Sequence, residues 1–277
     1  MSQPLKQPRA RKRFGQHFLT DEGVLQRIVD AMGLVSADRL LEIGPGPGAL
    51  TSYLYGLTDH FAAVELDRDM IVPLTVRFPK LALTSADILR VDLDNLLEPA
   101  GWRLVGNLPY NISSPLLLKL YGHLDRIVDM HFMFQRELGA RLAAIPGTKD
   151  WSRLSVMTQY HCEVESLFDV PPEAFSPPPR VHSQVVRLRP RTSAPAVDLT
   201  SLDQVLKAAF SARRKRIANG LKQLPVNWRA TDVDPDLRPD SLSLEAFVEL
   251  ARALEPEEFN QPQASTKAGS AVPEDEE

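Results

Sequence analysis

The sequence predicts an α/β protein: a doubly wound, largely parallel sheet followed by a small all-helical domain. Three observations carry that expectation. Five short apolar runs alternate with helix-length segments over the first half of the chain. Two further strand-like runs flank a proline-rich stretch, and beyond residue 198 only helical spacing recurs. Strands separated by helix-length connections imply parallel pairing through crossover helices.

Taken in order, "DEGVLQRIVDAMGL" from Asp21 places Val24, Leu25, Ile28, Val29 and Met32 on one i, i+4 stripe, which predicts a core-facing helix. "RLLEIG" (39–44), "HFAAVEL" (60–66), "LALTSA" (81–86), "WRLVGNL" (102–108) and "IVDMHFMF" (127–134) read as buried strands. Pro73 interrupts "DRDMIVPLTVRF", so that helix is expected to start late or to be irregular. Ser114 before Pro115 predicts a capped helix start. "EVESLFDV" and "SQVVRLRP", joined by "PPEAFSPPPRV", are expected to add an edge pair of strands. After a boundary at 191–200, "SLDQVLKAAFSARRKRIANGLKQL" and "SLSLEAFVELARAL" are helical by spacing. The expected division is a basic N-terminal segment (1–20), an α/β domain (21–192), a helical domain (198–255) and an acidic tail (256–277).

A length of 277 residues at 43% hydrophobic content allows a real core and excludes a mainly disordered chain. The single cysteine, Cys162, forbids an intramolecular disulfide and suits a reducing compartment. No run of about 18 apolar residues occurs, so no membrane span is expected. The N-terminus carries five basic residues with no apolar stretch behind them, unlike a secretion signal, and a cytoplasmic protein is expected. The net charge of -4 hides an asymmetry. The last 23 residues, from Glu255, hold seven acids and one lysine, a local charge of -6, which leaves +2 for the rest (-4 minus -6). That tail has almost nothing to bury and is expected to be disordered.

"LEIGPGPGALT" (41–51) ends the first of the five strands. Gly44, Gly46 and Gly48 let the backbone pass close beneath a ligand. Glu65 follows Gly44 by 21 residues, at the tip of the next strand, where a carboxylate accepts the hydroxyls of a ribose. Asp87 ends the third and can accept from an adenine amino group. These features suit a dinucleotide as well as a nucleoside-bearing methyl donor.

The stretch "NLPY" (107–110) decides between them. If the Asn107 side-chain oxygen and the following carbonyl, that of Leu108, converge on an exocyclic amino group, they favour a tetrahedral nitrogen with a localised lone pair. Pro109 fixes the chain direction, and Tyr110 offers a flat face for a purine. A base in a duplex could not reach such a pocket, so the target nucleotide must be flipped out or unpaired.

"RKRFGQHFL", "LEIGPGPGALT", "VELDRD", "VGNLPYNIS", "RLSVMTQY", "VPPEAFSPPPRVHSQVVRL" and "FSARRKRIANGLK" together resemble the ribosomal RNA adenine N6-dimethyltransferase family, over residues 11 to about 222. The match is closest to its bacterial small-subunit branch. The resemblance implies a Rossmann-like methyltransferase sheet and S-adenosylmethionine as donor, contacted at His17, Leu19, Gly44, Glu65, Asp87 and Asn107. It implies methylation of N6 of two adjacent adenosines in the 3′-terminal hairpin of small-subunit (16S) rRNA, within a 30S assembly intermediate, by a monomer. It also implies that Phe175 faces Tyr110 across the target base. His17 departs from the pattern, standing where the family usually has asparagine. Two arginine-rich clusters, Arg11, Lys12 and Arg13, and Arg213, Arg214, Lys215 and Arg216, are expected to neutralise phosphates. A large-subunit rRNA methyltransferase and a non-catalytic assembly factor are the alternative readings, with a nicotinamide dehydrogenase as a remote one.

Overall fold

A computed structural model describes residues 17–254 of the chain. The acidic tail and Arg11, Lys12 and Arg13 lie outside the described residues. The elements run β1 (Phe18–Leu19), α1 (Glu22–Met32), β2 (Arg39–Ile43), α2 (Ala49–Leu54), β3 (His60–Glu65), α3 (Arg68–Arg77), β4 (Ala82–Ser85), α4 (Leu93–Leu96), β5 (Trp102–Asn107), α5 (Ser113–Leu120) and β6 (Ile127–Gln135). They continue with α6 (Arg136–Leu142), α7 (Arg153–His161), β7 (Cys162–Val170), β8 (Phe175–Ser176), β9 (Ser183–Pro190), α8 (Leu199–Ser211), α9 (Ile217–Gly220) and α10 (Leu244–Arg252).

Seven strands form one sheet in the order β4-β3-β2-β5-β6-β9-β7. Strands β2 to β6 are mutually parallel, while β9 is antiparallel to both β6 and β7. The chain winds outward from β2 through β3 to β4, then returns to start the other half at β5, beside β2. The order therefore reverses between β2 and β5, and a crevice opens there at the strands' C-terminal ends.

The five apolar residues expected of α1 are all buried, and Asp21 caps the helix by accepting from the Val24 N–H at 2.9 Å. Arg103 on β5 locks the far end of α1 to the sheet. Its guanidinium donates to Asp129 at 2.9 and 2.6 Å, to Asp38 at 3.0 Å and to the Met32 carbonyl at 2.6 Å. Ion pairs held this way fix geometry more than they add stability.

Three local expectations need correction. Helix α3 starts at Arg68 under an Asp67 cap and carries Pro73 in its interior, so the proline costs one backbone hydrogen bond without delaying the start. Ser114 does not cap α5, which begins at Ser113. Instead the Ser113 hydroxyl donates to the Pro109 carbonyl at 3.2 Å, and Ile112 occupies the cap position. The long helical pattern from 201 breaks after Ser211, and only the short α9 resumes it.

The closing helices do not bury their apolar faces only against each other. Leu202, Val205 and Leu206 of α8 and Phe247 and Val248 of α10 share a core with Trp151, Val156, Met157 and Tyr160, which precede β7. The Trp151 indole donates to the Leu242 carbonyl at 3.0 Å and the Tyr160 hydroxyl to that of Pro195 at 3.0 Å. Among the described residues, no helix is long and apolar enough to cross a membrane.

Candidate active site

The crevice at the reversal point is lined by the ends of β2, β3 and β5, the turn after β4, and β1. His17, Leu19, Gly44, Gly46, Glu65, Asp87, Asn107, Leu108, Pro109 and Tyr110 all line this one cleft. Phe175 does not.

The glycines of the first turn divide their duties. Gly44, Gly46 and Gly48 have φ values of 71°, 54° and 83°, where any side chain is strained. A Cβ at Gly44 would meet nothing within 4 Å, so that position borders open cleft. At Gly46 it would meet the Phe18 ring at 3.2 Å, and at Gly48 the Phe78 ring at 2.7 Å. Gly48 thus serves packing of α2 against α3 rather than a ligand, which corrects the expectation for the third glycine.

Glu65 is 4% exposed, and both of its oxygens are engaged: Oε2 accepts from the Gly46 N–H at 2.9 Å and Oε1 from the Asp67 N–H at 2.7 Å. Burial raises its pKa above the ordinary carboxylate range, against the lowering effect of those two N–H groups. Each carboxylate oxygen has a second lone pair, so the pair can still accept two hydroxyls. Asp87 accepts from the Leu89 N–H at 3.0 Å, which fixes its carboxylate at the tip of β4.

Asn107 ends β5. Its Nδ2 donates to the His17 carbonyl at 3.0 Å, which sets the orientation of the amide and leaves Oδ1 without a partner among the described residues. The Leu108 N–H donates to the Met133 carbonyl at 3.4 Å, and the Leu108 carbonyl accepts nothing among the described residues. The Pro109 carbonyl is already used, by the Ile112 N–H at 3.1 Å and the Ser113 hydroxyl. Two acceptors, one carboxamide and one peptide oxygen, are therefore available in adjacent residues.

Strand β1 holds this arrangement from the far end of the chain. It pairs antiparallel with β8, with Leu19 opposite Phe175 and Phe18 opposite Ser176. The His17 ring faces that of Tyr110, with centroids 6.1 Å apart and an interplanar angle of 24°. His17 Nδ1 lies 2.8 Å from the Pro177 carbonyl, which can only accept, so Nδ1 carries the proton. The Tyr110 hydroxyl is 3.1 Å from that of Ser183. Phe175, expected opposite Tyr110 across a target base, pairs with Leu19 and packs its ring in the core, where it is 4% exposed. His17 stands across from Tyr110 instead.

The basic cluster after α8 is unevenly committed. Arg213 donates to the Thr148 carbonyl at 3.0 Å and approaches Asp240 at 3.8 Å, and Arg216 pairs with Asp236 at 2.8 Å. Arg214 and Lys215 are exposed and make no ion pair among the described residues.

Two cleft residues escaped the sequence reading. Glu42 on β2 is 2% exposed and accepts the Thr51 hydroxyl at 2.7 Å. Burial pushes its pKa up to about 8; the Thr51 bond opposes this and nearby Glu65 adds to it. His131 on β6 is 1% exposed, and neither ring nitrogen makes a hydrogen bond of good geometry, with the Asp129 carboxylate 3.7 Å away. Burial lowers its pKa to about 4, so the ring is neutral; Asp129 opposes that shift while Arg103 and Arg187 reinforce it. The only signal for either was a charged or polar letter inside an apolar strand, in "LLEIG" and "DMHFM".

The cleft suits a nucleoside-bearing cation. Acceptors stand at three strand tips, an open glycine lies beneath, and among the described residues neither lysine nor arginine lines the walls.

Comparison with known proteins bears on the same residues. A family model described as ribosomal RNA adenine dimethylase matches residues 7–252. Ribosomal RNA small subunit methyltransferase A of Pseudomonas aeruginosa is 50% identical over 258 residues, covering 90% of this chain and 96% of the relative. The protein of that name from Coxiella burnetii is 46% identical over 257 residues, covering 90% of this chain and 100% of its own length. Among solved structures, a dimethyladenosine transferase from Plasmodium falciparum superposes with a TM-score of 0.72 at 27% identity, over 84% of this chain and 96% of that one. The 23S rRNA methyltransferase ErmE shares the fold, with a TM-score of 0.67 at 24% identity over 86% of this chain and 99% of its own.

Proposed function

The chain belongs to the ribosomal RNA adenine dimethylase family, and on that premise we propose that it transfers methyl groups from S-adenosylmethionine to N6 of two adjacent adenosines in the 3′-terminal hairpin of small-subunit rRNA. The observation that carries the reading is the fixed amide of Asn107. With Nδ2 held by the His17 carbonyl, Oδ1 is presented as an acceptor beside the Leu108 carbonyl.

Glu65 and Asp87 would hold the donor's ribose and adenine, with Gly44 beneath them and Leu19 and His17 closing one side. The donor supplies an electrophilic methyl group on a cationic sulfur. The residues of "NLPY" do the rest. An adenine amine is a poor nucleophile because its lone pair is spread into the ring. Accepting both of its hydrogens at Oδ1 and the Leu108 carbonyl localises that lone pair, and the fixed geometry orients it. Tyr110 would carry the flipped base on its face, its ring steadied by the Ser183 hydroxyl. Arg214 and Lys215, with the N-terminal Arg11, Lys12 and Arg13, would bind phosphates without reading sequence.

The substrate within the cell is read as a 30S assembly intermediate, met in the cytoplasm by a monomer. The test supplies radiolabelled donor to unmethylated small subunits and to large-subunit rRNA in parallel. Label in the small-subunit rRNA alone is expected; label only in the large-subunit rRNA would overturn the substrate assignment.

A further inference from the structure

Glu42 is a buried carboxyl that the mechanism above leaves without a task. It lies in the cleft wall on β2, one residue before Ile43 and the glycine turn, and is 2% exposed. The Thr51 hydroxyl of α2 meets its Oε2 at 2.7 Å, and Oε1 has no hydrogen-bond partner among the described residues. A carboxylate in that position calls for a cation, and among the described residues the wall provides none. The titratable groups lining the same cleft are His17, Glu65, Asp67, Asp87, Tyr110 and His131. Four of these seven groups, counting Glu42, are acids, and among the described residues no lysine or arginine lines the cleft. Arg103, on the same sheet face, is bound by Asp129, Asp38 and the Met32 carbonyl. From the neighbouring elements, Glu42 therefore meets the Thr51 hydroxyl of α2 and feels the charge of Glu65 on β3, while neutral His131 on β6 lies beyond the intervening strand β5.

An ionised Glu42 beside Glu65 would add a second negative charge to one apolar wall. Backbone N–H groups hold both Glu65 oxygens, whereas Glu42 has only the Thr51 hydroxyl, so its ionised form is disfavoured. The neutral acid avoids that cost, in keeping with a pKa pushed up to about 8. A cationic ligand reverses the balance, because the missing counter-charge then arrives with it.

We infer that Glu42 is a proton-linked counter-charge for the methyl donor: protonated in the empty cleft, ionised when the sulfonium binds, and protonated again once that sulfonium has become a thioether. The inference rests on the functional reading above. The proton and charge balance is closed at each stage. On binding, the Glu42 O–H bond breaks, the proton goes to solvent, and the carboxylate faces one positive charge. On transfer, the electron pair of the S–CH3 bond stays on sulfur, the methyl carbon bonds to the amine nitrogen, and the amine releases one proton. The sulfur is then neutral, and Glu42 takes one proton back from solvent. The neutral product then makes no ion pair with the neutral acid, which favours its release over that of the reactant.

The experiment is titration calorimetry of the wild-type protein near pH 7 with S-adenosylmethionine and, separately, S-adenosylhomocysteine, each in two buffers of different ionisation enthalpy. The two ligands share their amine and carboxylate and differ in the sulfonium. Donor binding is expected to release close to one proton more than product binding, and Glu42→Gln, which keeps an acceptor for Thr51, is expected to abolish the difference. Equal proton counts for the two ligands in the wild-type protein would overturn the inference whatever the variant does, and so would a difference that survives in Glu42→Gln. Donor binding with equal counts would leave the functional reading standing. Absence of donor binding by the wild-type protein would sink both.

Discussion

The two outer glycines of the turn after β2 allow a paired test, because their backbones are alike and their surroundings are not. Gly44 and Gly48 have φ values of 71° and 83°, so alanine at either position carries the left-handed penalty of about 1–2 kcal/mol. At Gly48 the new methyl would also lie 2.7 Å from Phe78 and 3.0 Å from Leu74. Both contacts are too close, and overpacking of that kind adds about 1–3 kcal/mol. Gly48→Ala should therefore lose roughly 2–5 kcal/mol, a fall in Tm on the order of 5–15 °C. Gly44→Ala should fall by only a few degrees, since its methyl meets nothing within 4 Å. That methyl would occupy the floor of the cleft, and donor affinity should drop about tenfold or more, at least ~1.4 kcal/mol. Thermal denaturation and calorimetric titration with S-adenosylmethionine measure the two effects independently. Wild-type donor affinity in Gly44→Ala, or equal stability losses in the two variants, would refute the assignment of one glycine to the ligand and the other to packing.

Asn107→Ala should leave RNA affinity nearly unchanged while turnover falls on the order of 10²–10³-fold, in line with removal of a single fixed polar group at a reacting centre; parallel loss of RNA binding in a filter assay would mark the protein as a binder. Replacing Arg214 and Lys215 together with alanine should reduce the slope of log affinity against log salt by about 2 without moving Tm. Arg213→Ala should instead lower Tm, since that side chain holds the Thr148 carbonyl. His131 should make the fold acid-sensitive. Its folded pKa of about 4 lies below the ordinary 6.5, so between those values the unfolded chain takes up a proton that the native state refuses. Stability should then decline as pH falls through that window, by an amount on the order of 3–4 kcal/mol in the limit. His131→Leu should flatten that decline in denaturant titrations, and an unchanged decline would place the acid sensitivity elsewhere.

What could be read from the letters follows from how local each cause is. Strands β2, β3, β5 and β6 were legible because a run buried between helices is apolar over most of its length. Strand β4 was found in the same way, but the expectation that it is buried is corrected, since it lies at the sheet edge and is largely exposed. The α1 stripe was legible because one face of a single helix carries it. The tips at Gly44, Glu65, Asp87 and Asn107 were legible because each directly follows such a run. The rest depends on partners far away in the chain. Two-residue strands β1 and β8 carry no periodicity, and their pairing joins Leu19 to Phe175. That pairing alone decides that Phe175 is buried and that His17 faces Tyr110. Glu42 and His131 sit in apolar runs, where a single polar letter shows neither its exposure nor its neighbours. Pro73 was over-read, since one lost hydrogen bond in a helix packed through Met70 and Leu74 does not shift its start.

The core shared by Trp151, Met157 and the two closing helices has a consequence for anyone wishing to exchange the C-terminal portion between relatives. A cut in the 191–198 linker looks natural on paper, yet it would strip the cover from Trp151, Val156 and Tyr160 and leave an aromatic scar on the catalytic half. A graft of new closing helices must bring a surface matched to those side chains, or replace residues 144–160 in the same operation. Target choice in such chimeras is thus bound to the solubility of the parent sheet.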